Sequence, residues 1–378
     1  MTNFILYLFS FFLGFGLFDP FGTNGLYFDV LTILSLVSIL FRNGFSFITN
    51  RFDLPTKLLF LIALLLFFSA FLYGVSYSEF LPINFKFISA VIIFWFFSIE
   101  FSKSPEFAFK CLLIFSISCG LISLGYVLGI FNSQFEILNG RLRIFGENPN
   151  SISSRMAISF IILFYNFLIN PLKLNKINLV FLSLLPTLVF FTIDTGSRGS
   201  LLILVLSIFV IVFLSNIKKV LKISLLILSL IFMFFMFVYL QDSDIMSRFQ
   251  NEGLTDSRDE LWTNALIIFS DNLLIGVGEE GYKLELSILS NRVLDTHNLI
   301  IYFLVTGGLI TTSVFLYFLI LIFKKAYFQI RLKNSLPMIF FVFFFFLMNK
   351  TGGIITYLIM WYFLAYINSF NYKKNSIS

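Results

Sequence analysis

The residues of this sequence that could do chemistry are a few arginines and its single histidine. Arg141 and Arg143 share one polar stretch, Arg198 lies in a Gly-rich turn, Arg258 opens an amphipathic segment and His297 precedes a long apolar run. Arginine carries a permanent charge on a planar fork that suits phosphate oxygens. A neutral imidazole can take a proton from a hydroxyl. Together these residues fit the transfer of a group from a diphosphate to an alcohol.

Each of these residues also has a structural explanation. Arg198 could be a snorkelling side chain or could pair with Asp194 across a helical turn. Arg258 could pair with Asp259, and a lone histidine at a helix start is often structural. The positive end of the helix dipole favours a neutral imidazole at His297, which a proton acceptor requires. The functional interpretation therefore depends on the residues acting as a set.

Neither a metal site nor a disulfide is expected. One histidine and two cysteines form no ligand cluster. Cys111 and Cys119 are eight residues apart on one predicted helix, about 12 Å along its axis, which is too far for a disulfide. We therefore expect metal-independent chemistry without a cofactor.

The elements that position these residues are apolar spans. Of 378 residues, 58% are hydrophobic and 12% are charged, about half the charged share of a soluble domain. About 20 apolar residues cross a bilayer core. The sequence predicts an all-α polytopic membrane protein, a single integral membrane domain over 1–378. The expected spans are twelve, at 4–18, 26–41, 58–74, 83–99, 107–130, 152–169, 177–193, 199–215, 220–240, 298–323, 336–348 and 352–368.

The distribution of charge predicts the orientation. Sixteen of the 26 basic residues fall in alternate connections and the C-terminal tail, which the positive-inside rule assigns to the cytoplasm. Both termini are then cytoplasmic. The cytoplasmic lysines are expected to meet anionic lipid headgroups, so the positive net charge does not imply a nucleic-acid partner.

One long loop, residues 241–297 between spans nine and ten, is predicted on the far side. It holds eleven acidic and four basic residues. Ser257 and Glu260 have the spacing of a capping box. Short amphipathic helices are expected in this loop, the first with an apolar stripe that contains Leu261, Trp262, Ala265, Leu266 and Phe269. This helix is expected to lie on the membrane surface or on the spans.

Four strings in this order resemble the O-antigen ligase and polymerase superfamily of bacterial membrane glycosyltransferases. They are Arg143-Ile-Phe-Gly-Glu-Asn-Pro-Asn150, Thr195-Gly-Ser-Arg-Gly-Ser200, Ser257-Arg-Asp-Glu-Leu-Trp-Thr-Asn-Ala-Leu266 leading to Leu274-Ile-Gly-Val-Gly278, and Thr296-His-Asn298 followed by Gly307-Gly-Leu309. Each string alone is unspecific. The resemblance covers about residues 140–310, and the first 130 residues resemble the family only in being spans.

The resemblance implies a periplasmic, inverting and metal-independent transfer from an undecaprenyl-diphosphate-linked oligosaccharide. His297 would then activate the acceptor hydroxyl. The other implied donor-binding or acceptor-binding residues are Arg198 and Arg258 on the diphosphate, with Arg143, Arg141, Asn150 and Asn298. Gly276 and Gly278 would let the long loop bend closely over the substrate. The resemblance further implies partners of the same pathway, a chain-length regulator and a flippase.

The acceptor stays open between another lipid-linked repeat unit in a polymerase, the lipid A core in a ligase and a protein hydroxyl in a third branch. The compact chain favours the polymerase. A flippase is the alternative of another class, although no internal repeat is seen and nearly all charges lie at span ends. Other glycosyltransferases could use Asp19 as a base, or the Asp242 and Asp244 pair as a metal site.

Overall fold

The computed structural model describes residues 2–16, 26–44, 52–130, 135–138, 141–144, 147–169, 176–214, 217–240, 258–290, 294–350 and 354–370. Within them are fourteen α-helices and one β-hairpin. The helices are α1 (Thr2–Phe15), α2 (Leu26–Asn43), α3 (Leu54–Leu72), α4 (Tyr77–Lys103), α5 (Pro105–Val127), α6 (Pro149–Ile169), α7 (Lys176–Asp194), α8 (Arg198–Leu214), α9 (Lys219–Leu240), α10 (Arg258–Asp271), α11 (Gly278–Ser290), α12 (Leu299–Arg331), α13 (Leu336–Met348) and α14 (Leu358–Asn368). Strands β1 (Phe135–Leu138) and β2 (Arg141–Ile144) pair antiparallel between α5 and α6.

The predicted fold class is confirmed: this is an all-α polytopic membrane protein. A helix occupies each of the twelve predicted spans within the described residues. Among the residues that the structure describes, six helical stretches are long and apolar enough to cross a membrane: Leu26–Asn43, Leu54–Leu72, Asn84–Lys103, Pro105–Val127, Pro149–Ile169 and Leu299–Arg331. Five more apolar helices are shorter, including Leu336–Met348.

Local sequence explains where several spans begin. The carboxylate of Asp53 accepts a hydrogen bond from the Thr56 amide, 3.2 Å away, before α3. Ser104 accepts one from the Phe107 amide at the same distance and so caps α5. Each cap is followed within two residues by a proline, which suits the first turn because it has no amide proton to satisfy.

The chain forms two compact units, which we describe separately. The first unit comprises Met1–Phe45, Lys103–Gly253 and Gln329–Phe343, and the second comprises Ser46–Ser102, Leu254–Phe328 and Phe344–Ser378. Small residues bring helices of the first unit together. A Cβ on Gly14 of α1 would lie 1.8 Å from the Ser118 Oγ of α5, and one on Gly120 would lie 2.7 Å from Leu184 of α7. Such close approach is typical of helices packed within a membrane.

In the first unit, contacts show which helix ends share a face. Arg42 at the end of α2 donates to Asn3 at the start of α1, 2.8 Å away. At the other face, the hydroxyl of Tyr126 near the end of α5 donates to Asp194 at the end of α7, 2.7 Å away. The hairpin lies at this second face, because the Phe135 ring packs edge-on against Tyr126.

The second unit has the same alternation. At one face, Lys325 near the end of α12 donates to the Asn368 side chain of α14 at 2.6 Å and lies 3.5 Å from the Asp53 carboxylate before α3. At the other face, Ser69 near the end of α3 donates to the backbone oxygen of Ile275, 2.6 Å away. The end of α3 and the described part of the long loop therefore lie on one side of this unit, as the predicted topology requires.

Helix α12 is broken, which the sequence analysis did not anticipate. Gly308 has φ 67° and ψ −169° in its interior. The segment between α10 and α11 crosses at this break: the amides of Leu309 and Ile310 donate to the oxygens of Leu273 and Leu274, at 2.8 and 3.2 Å, and the Val277 amide donates to the Val305 oxygen at 3.0 Å. The crossing segment supplies hydrogen bonds that a helix loses at a break.

Helix α10 packs on the spans, as one of the two expectations had it, but its predicted stripe was partly wrong. Leu261, Ala265 and Ile268 are buried in one cluster with residues of α11 and α12. Leu266 is 45% exposed. The buried stripe contains Ile268 in place of Leu266, because the buried positions follow i, i+4 and i+7 spacing from Leu261. Asp19 and the whole of 241–257, which includes Asp242, Asp244 and Ser257 of the predicted capping box, lie outside the described residues.

Candidate functional site

In the first unit, Arg198 is the first residue of α8. Helix α7 ends at Asp194, and Gly196 reverses the chain with φ 63° while its amide donates to the Ile193 oxygen, 2.9 Å away. The Ser197 oxygen then accepts the first hydrogen bond of α8 from Leu201. A cation at a helix start opposes the positive end of the helix dipole. An anion bound there would be attracted by both the guanidinium and the helix.

Arg141 and Arg143 lie on one face of the hairpin. They alternate along β2 with Leu142 and Ile144, which are buried. Alternate residues of a strand point to opposite faces, so the two half-buried arginines share the face opposite the leucine and isoleucine. Glu136 is the cross-strand partner of Arg143. The hairpin thus presents two guanidinium groups and one carboxylate on one surface.

Asn150 connects the hairpin to the turn that carries Arg198. Its side-chain oxygen accepts hydrogen bonds from Arg141, 2.6 Å away, and from the Ser197 hydroxyl, 2.9 Å away. Ser197 also contacts Ser200, at 3.1 Å between the hydroxyl oxygens. The structure therefore brings Arg141, Asn150 and the start of α8 together through side chains. Asn150 was predicted to bind substrate, and what the structure gives it is this bridging position.

A buried ion pair, which the sequence did not indicate, lies behind the hairpin. Arg155 of α6 is only 3% exposed and contacts the buried carboxylate of Glu147. The guanidinium packs against the end of α1, where a Cβ on Gly16 would overlap it. Glu147 stands in the motif Arg143 to Asn150, but neither it nor Arg155 was singled out in the sequence. A buried charge is stable only when it is paired, and the burial of both residues becomes visible only in the fold.

In the second unit, His297 is held in an unusual backbone conformation. Its φ is 53°, in the left-handed region that residues other than glycine rarely adopt. The turn around it is fixed by local hydrogen bonds, from the His297 amide to the Asp295 carboxylate at 2.8 Å and from the Thr296 hydroxyl to the Asn298 oxygen at 2.9 Å. The side chain is half-buried. Strained backbone of this kind clusters at functional sites.

Asn298 caps α12. Its side-chain oxygen accepts hydrogen bonds from the amides of Ile300 and Ile301, at 3.0 and 3.2 Å. Asparagine is among the best residues for this position because it satisfies amides that have no partner within the helix. Asn298 was predicted to bind substrate, and its oxygen is engaged by the helix it caps. Its place immediately after His297 makes it a support for the histidine turn.

Trp262 links the start of α10 to the histidine turn. Its indole nitrogen donates to the backbone oxygen of Thr296, 2.8 Å away. Arg258 is the first residue of α10 and is half-buried. It precedes Trp262 by four residues and so shares its helix face, at about 5–6 Å between Cβ atoms. One hydrogen bond therefore joins the helix that begins at Arg258 to the turn that holds His297, a connection that the sequence did not indicate.

Gly276 and Gly278, which were predicted to let the long loop bend over the substrate, closely approach other parts of the protein. Both have positive φ, 74° and 71°. A Cβ on Gly276 would lie 2.6 Å from backbone atoms of Gly307 and Gly308 at the break in α12, and one on Gly278 would lie 2.6 Å from Ala70 of α3. These glycines let the crossing segment pack tightly against two spans.

Helix α11 braces the end of α3 and the start of α12. Tyr73, the residue after α3, donates its hydroxyl to Glu285, and Tyr302 of α12 donates to Glu279, 2.6 Å away. Burial and the hydrogen bond to Glu285 raise the pKa of Tyr73 to about 12, so this phenol stays protonated and donates. Burial, and secondly the charge of Asp295, raise the pKa of Tyr282. None of these three tyrosines was singled out in the sequence.

The residues that the structure describes contain no group of three His, Cys, Asp or Glu that could hold a metal ion. The two cysteines that they include, Cys111 and Cys119, form no disulfide.

The fold and these sites define a multi-pass helical membrane protein with cationic and histidine-bearing elements at helix starts. Residues 181–316 match the family described as O-antigen ligase. This match confirms the resemblance to the O-antigen ligase and polymerase superfamily and indicates a membrane glycosyltransferase of that type. It covers roughly a third of the chain, with Arg198, Arg258 and His297 inside it and the hairpin outside. Among curated proteins, none matches this chain.

Proposed function

We propose that this protein is a repeat-unit polymerase for O-antigen or a capsular polysaccharide. It would act in the bacterial inner membrane with both termini in the cytoplasm. The acceptor hydroxyl would attack the anomeric carbon of an oligosaccharide linked to undecaprenyl diphosphate, the bond from that carbon to the phosphate oxygen would break with inversion, and undecaprenyl diphosphate would leave. The acceptor would be another lipid-linked repeat unit.

One observation carries the proposal: the two arginines of the matched motifs each begin a helix, and the histidine directly precedes the cap of a third. An anion at such a helix start is attracted both by the guanidinium and by the positive end of the helix dipole. Arg198 and Arg258 are the proposed diphosphate ligands. Charge that develops on the leaving diphosphate is stabilised by such fixed cations, so no acidic residue is needed to protonate it.

His297 is the proposed base that takes the proton from the acceptor hydroxyl. Its turn is held by Asp295, Thr296 and Trp262, which fixes the direction of the ring. A base held in one position contributes typically about 10²–10⁴-fold to the rate. Arg143 and Arg141 are proposed to bind the donor or the acceptor from the hairpin.

A ligase that transfers the glycan to lipid A core is the second candidate, favoured by the description of the matching family, O-antigen ligase. Deletion of the gene separates the two. A single repeat unit left on the lipid A core supports the polymerase, and loss of all glycan from the core supports the ligase. Accumulation of the lipid-linked unit facing the cytoplasm would instead indicate a flippase and refute both.

A further inference from the structure

A preformed pocket lies in the second unit between α11 and the residues that follow α3. Its volume is about 410 Å³, within the range of ligand pockets. Its walls are formed by Tyr73, Gly74, Val75, Ser76, Glu280, Lys283, Leu284 and Ser287. None of these residues belongs to the motifs that carry the family resemblance.

The wall from α3 is built by a helix-ending turn. The Val75 amide donates to the Ala70 oxygen at 3.3 Å, and the Gly74 amide donates to the Phe71 oxygen at 3.1 Å. With φ 82° at Gly74, these two bonds form a Schellman motif. The backbone that presents Tyr73 and Val75 to the pocket is therefore fixed without a ligand.

The opposite wall is one face of α11. Residues 280, 283, 284 and 287 follow i, i+3, i+4 and i+7 spacing, which places them on one side of the helix. The two walls approach closely at Gly281, because a Cβ there would lie 2.7 Å from the Tyr73 ring. A preformed cavity spares a ligand the cost of ordering its site.

The chemistry of the walls suits a sugar and does not suit a diphosphate. The hydroxyl oxygens of Ser76 and Ser287 can accept hydrogen bonds from a sugar, although Ser287 donates its own proton to the Leu284 oxygen, 2.7 Å away. Val75 and Leu284 add aliphatic carbon, which suits the C–H faces of a pyranose. Lys283 is held by Glu280 at 2.6 Å and by Glu279 at 3.2 Å. Burial lowers the pKa of Lys283, but the two carboxylates outweigh it and the net pKa is raised. With Glu285 also nearby, carboxylates outnumber the lysine, so an anion would be repelled.

Helix α11 also connects the pocket to the helix that begins after the histidine turn. Glu279, one turn before Lys283 on this helix, accepts from Tyr302, 2.6 Å away, and Tyr302 lies one helical turn beyond the cap residue Asn298. We propose that this pocket is a subsite for the glycan that supplies the acceptor hydroxyl. The proposal rests on the proposed function, in which His297 deprotonates that hydroxyl.

The test fills the pocket. Purified full-length protein in lipid nanodiscs is assayed with a lipid-linked donor and with the free repeat-unit oligosaccharide of the same bacterium, which lacks the diphosphate and acts only as acceptor. Ser287→Phe and Ser76→Phe, one from each wall, are expected to raise the acceptor KM at least about tenfold and to leave the donor KM unchanged. Ile288→Phe, on the same helix but outside the pocket and 68% exposed, is the matched control and is expected to keep both values.

Calorimetric titration of the free oligosaccharide gives a readout that does not depend on turnover. We expect binding to wild type and to Ile288→Phe, and lost binding in the two pocket variants at unchanged thermal unfolding. Normal acceptor KM and binding in both pocket variants would overturn the subsite while leaving the proposed function intact, provided that His297→Ala is inactive. A raised donor KM alone would assign the pocket to the donor glycan and also overturn the proposal. Full turnover by His297→Ala would refute the proposed function, and the titration would still decide the pocket.

Discussion

The two units hold their candidate residues by different means. In the first unit, Asn150 joins Arg141 to Ser197, two side chains that are 9 and 47 residues away from it in the chain. In the second unit, His297 is held mostly by residues within two positions of it, with a left-handed backbone. The first arrangement aligns charges from separate elements, and the second fixes one ring. Loss of the first should weaken donor binding, and loss of the second should slow the chemical step.

The largest expected effect is on the histidine turn. His297→Ala should lower kcat by about 10²–10⁴-fold with little change in donor KM, because it removes the proposed base. His297→Gly should be equally inactive, yet its stability should be unchanged or raised by up to about 1 kcal/mol, because glycine accepts the left-handed backbone without a Cβ clash. Single-turnover kinetics and thermal unfolding measure the two quantities. An active, destabilised glycine variant would show that the turn is merely structural.

Arg198→Lys should have the next largest effect, and it should act on the donor. A lysine keeps the charge at the start of α8 but cannot form a two-pronged contact with phosphate oxygens. We expect kcat/KM for the donor to fall about 10–100-fold, as is typical for lost charge-assisted hydrogen bonds. Arg42→Lys is the matched control, since Arg42 contacts Asn3 at the other face of the same unit. Equal activity of the two variants would remove Arg198 from the diphosphate site.

Asn150→Ala should sharpen the contrast between the units. It removes the oxygen that accepts hydrogen bonds from both Arg141 and Ser197, so the hairpin and the start of α8 are no longer joined through a side chain. Two lost hydrogen bonds of about 1 kcal/mol each predict a donor KM raised by roughly tenfold or more, with kcat nearly unchanged. Asn166→Ala, a substitution of a buried asparagine on the same helix α6, is the control. A fall in kcat at constant KM would contradict the assignment of the hairpin to binding.

The spans could be predicted because their signal is local. Runs of about 20 apolar residues are readable from the sequence alone, and each predicted span falls on a helix. The alternation of helix ends, predicted from the lysines and arginines, agrees within each unit with contacts such as Tyr126 to Asp194 and Lys325 to Asn368. The break in α12 could not be predicted, because it depends on a segment about 30 residues earlier in the chain crossing at Gly308.

Buried charges were the least predictable feature. Lys325 was interpreted as one of the lysines that orient the spans, yet it is buried and shared between Asp53 and Asn368. Arg155 likewise pairs with Glu147 inside the first unit. In both cases the partner is distant or lies in another element, so spacing along the chain gives no signal. The candidate arginines and His297 could be found because they stand in recognisable motifs, whereas Trp262 and Tyr73 act through contacts that only the fold creates.

Trp262→Phe should have the smallest effect, and it tests whether the turn that holds His297 is fixed only by local contacts. Phenylalanine keeps the ring beside the histidine turn but cannot donate to the Thr296 oxygen, a hydrogen bond of 2.8 Å. The lost bond is worth about 1 kcal/mol, so we expect kcat to fall about fivefold with donor and acceptor KM unchanged. Trp361→Phe in α14, which removes a buried indole hydrogen bond to Ile355, should reduce stability and leave kcat nearly unchanged. If both variants lowered stability alone, His297 would be positioned entirely by its own turn, and the long-range support inferred from Trp262 would be wrong.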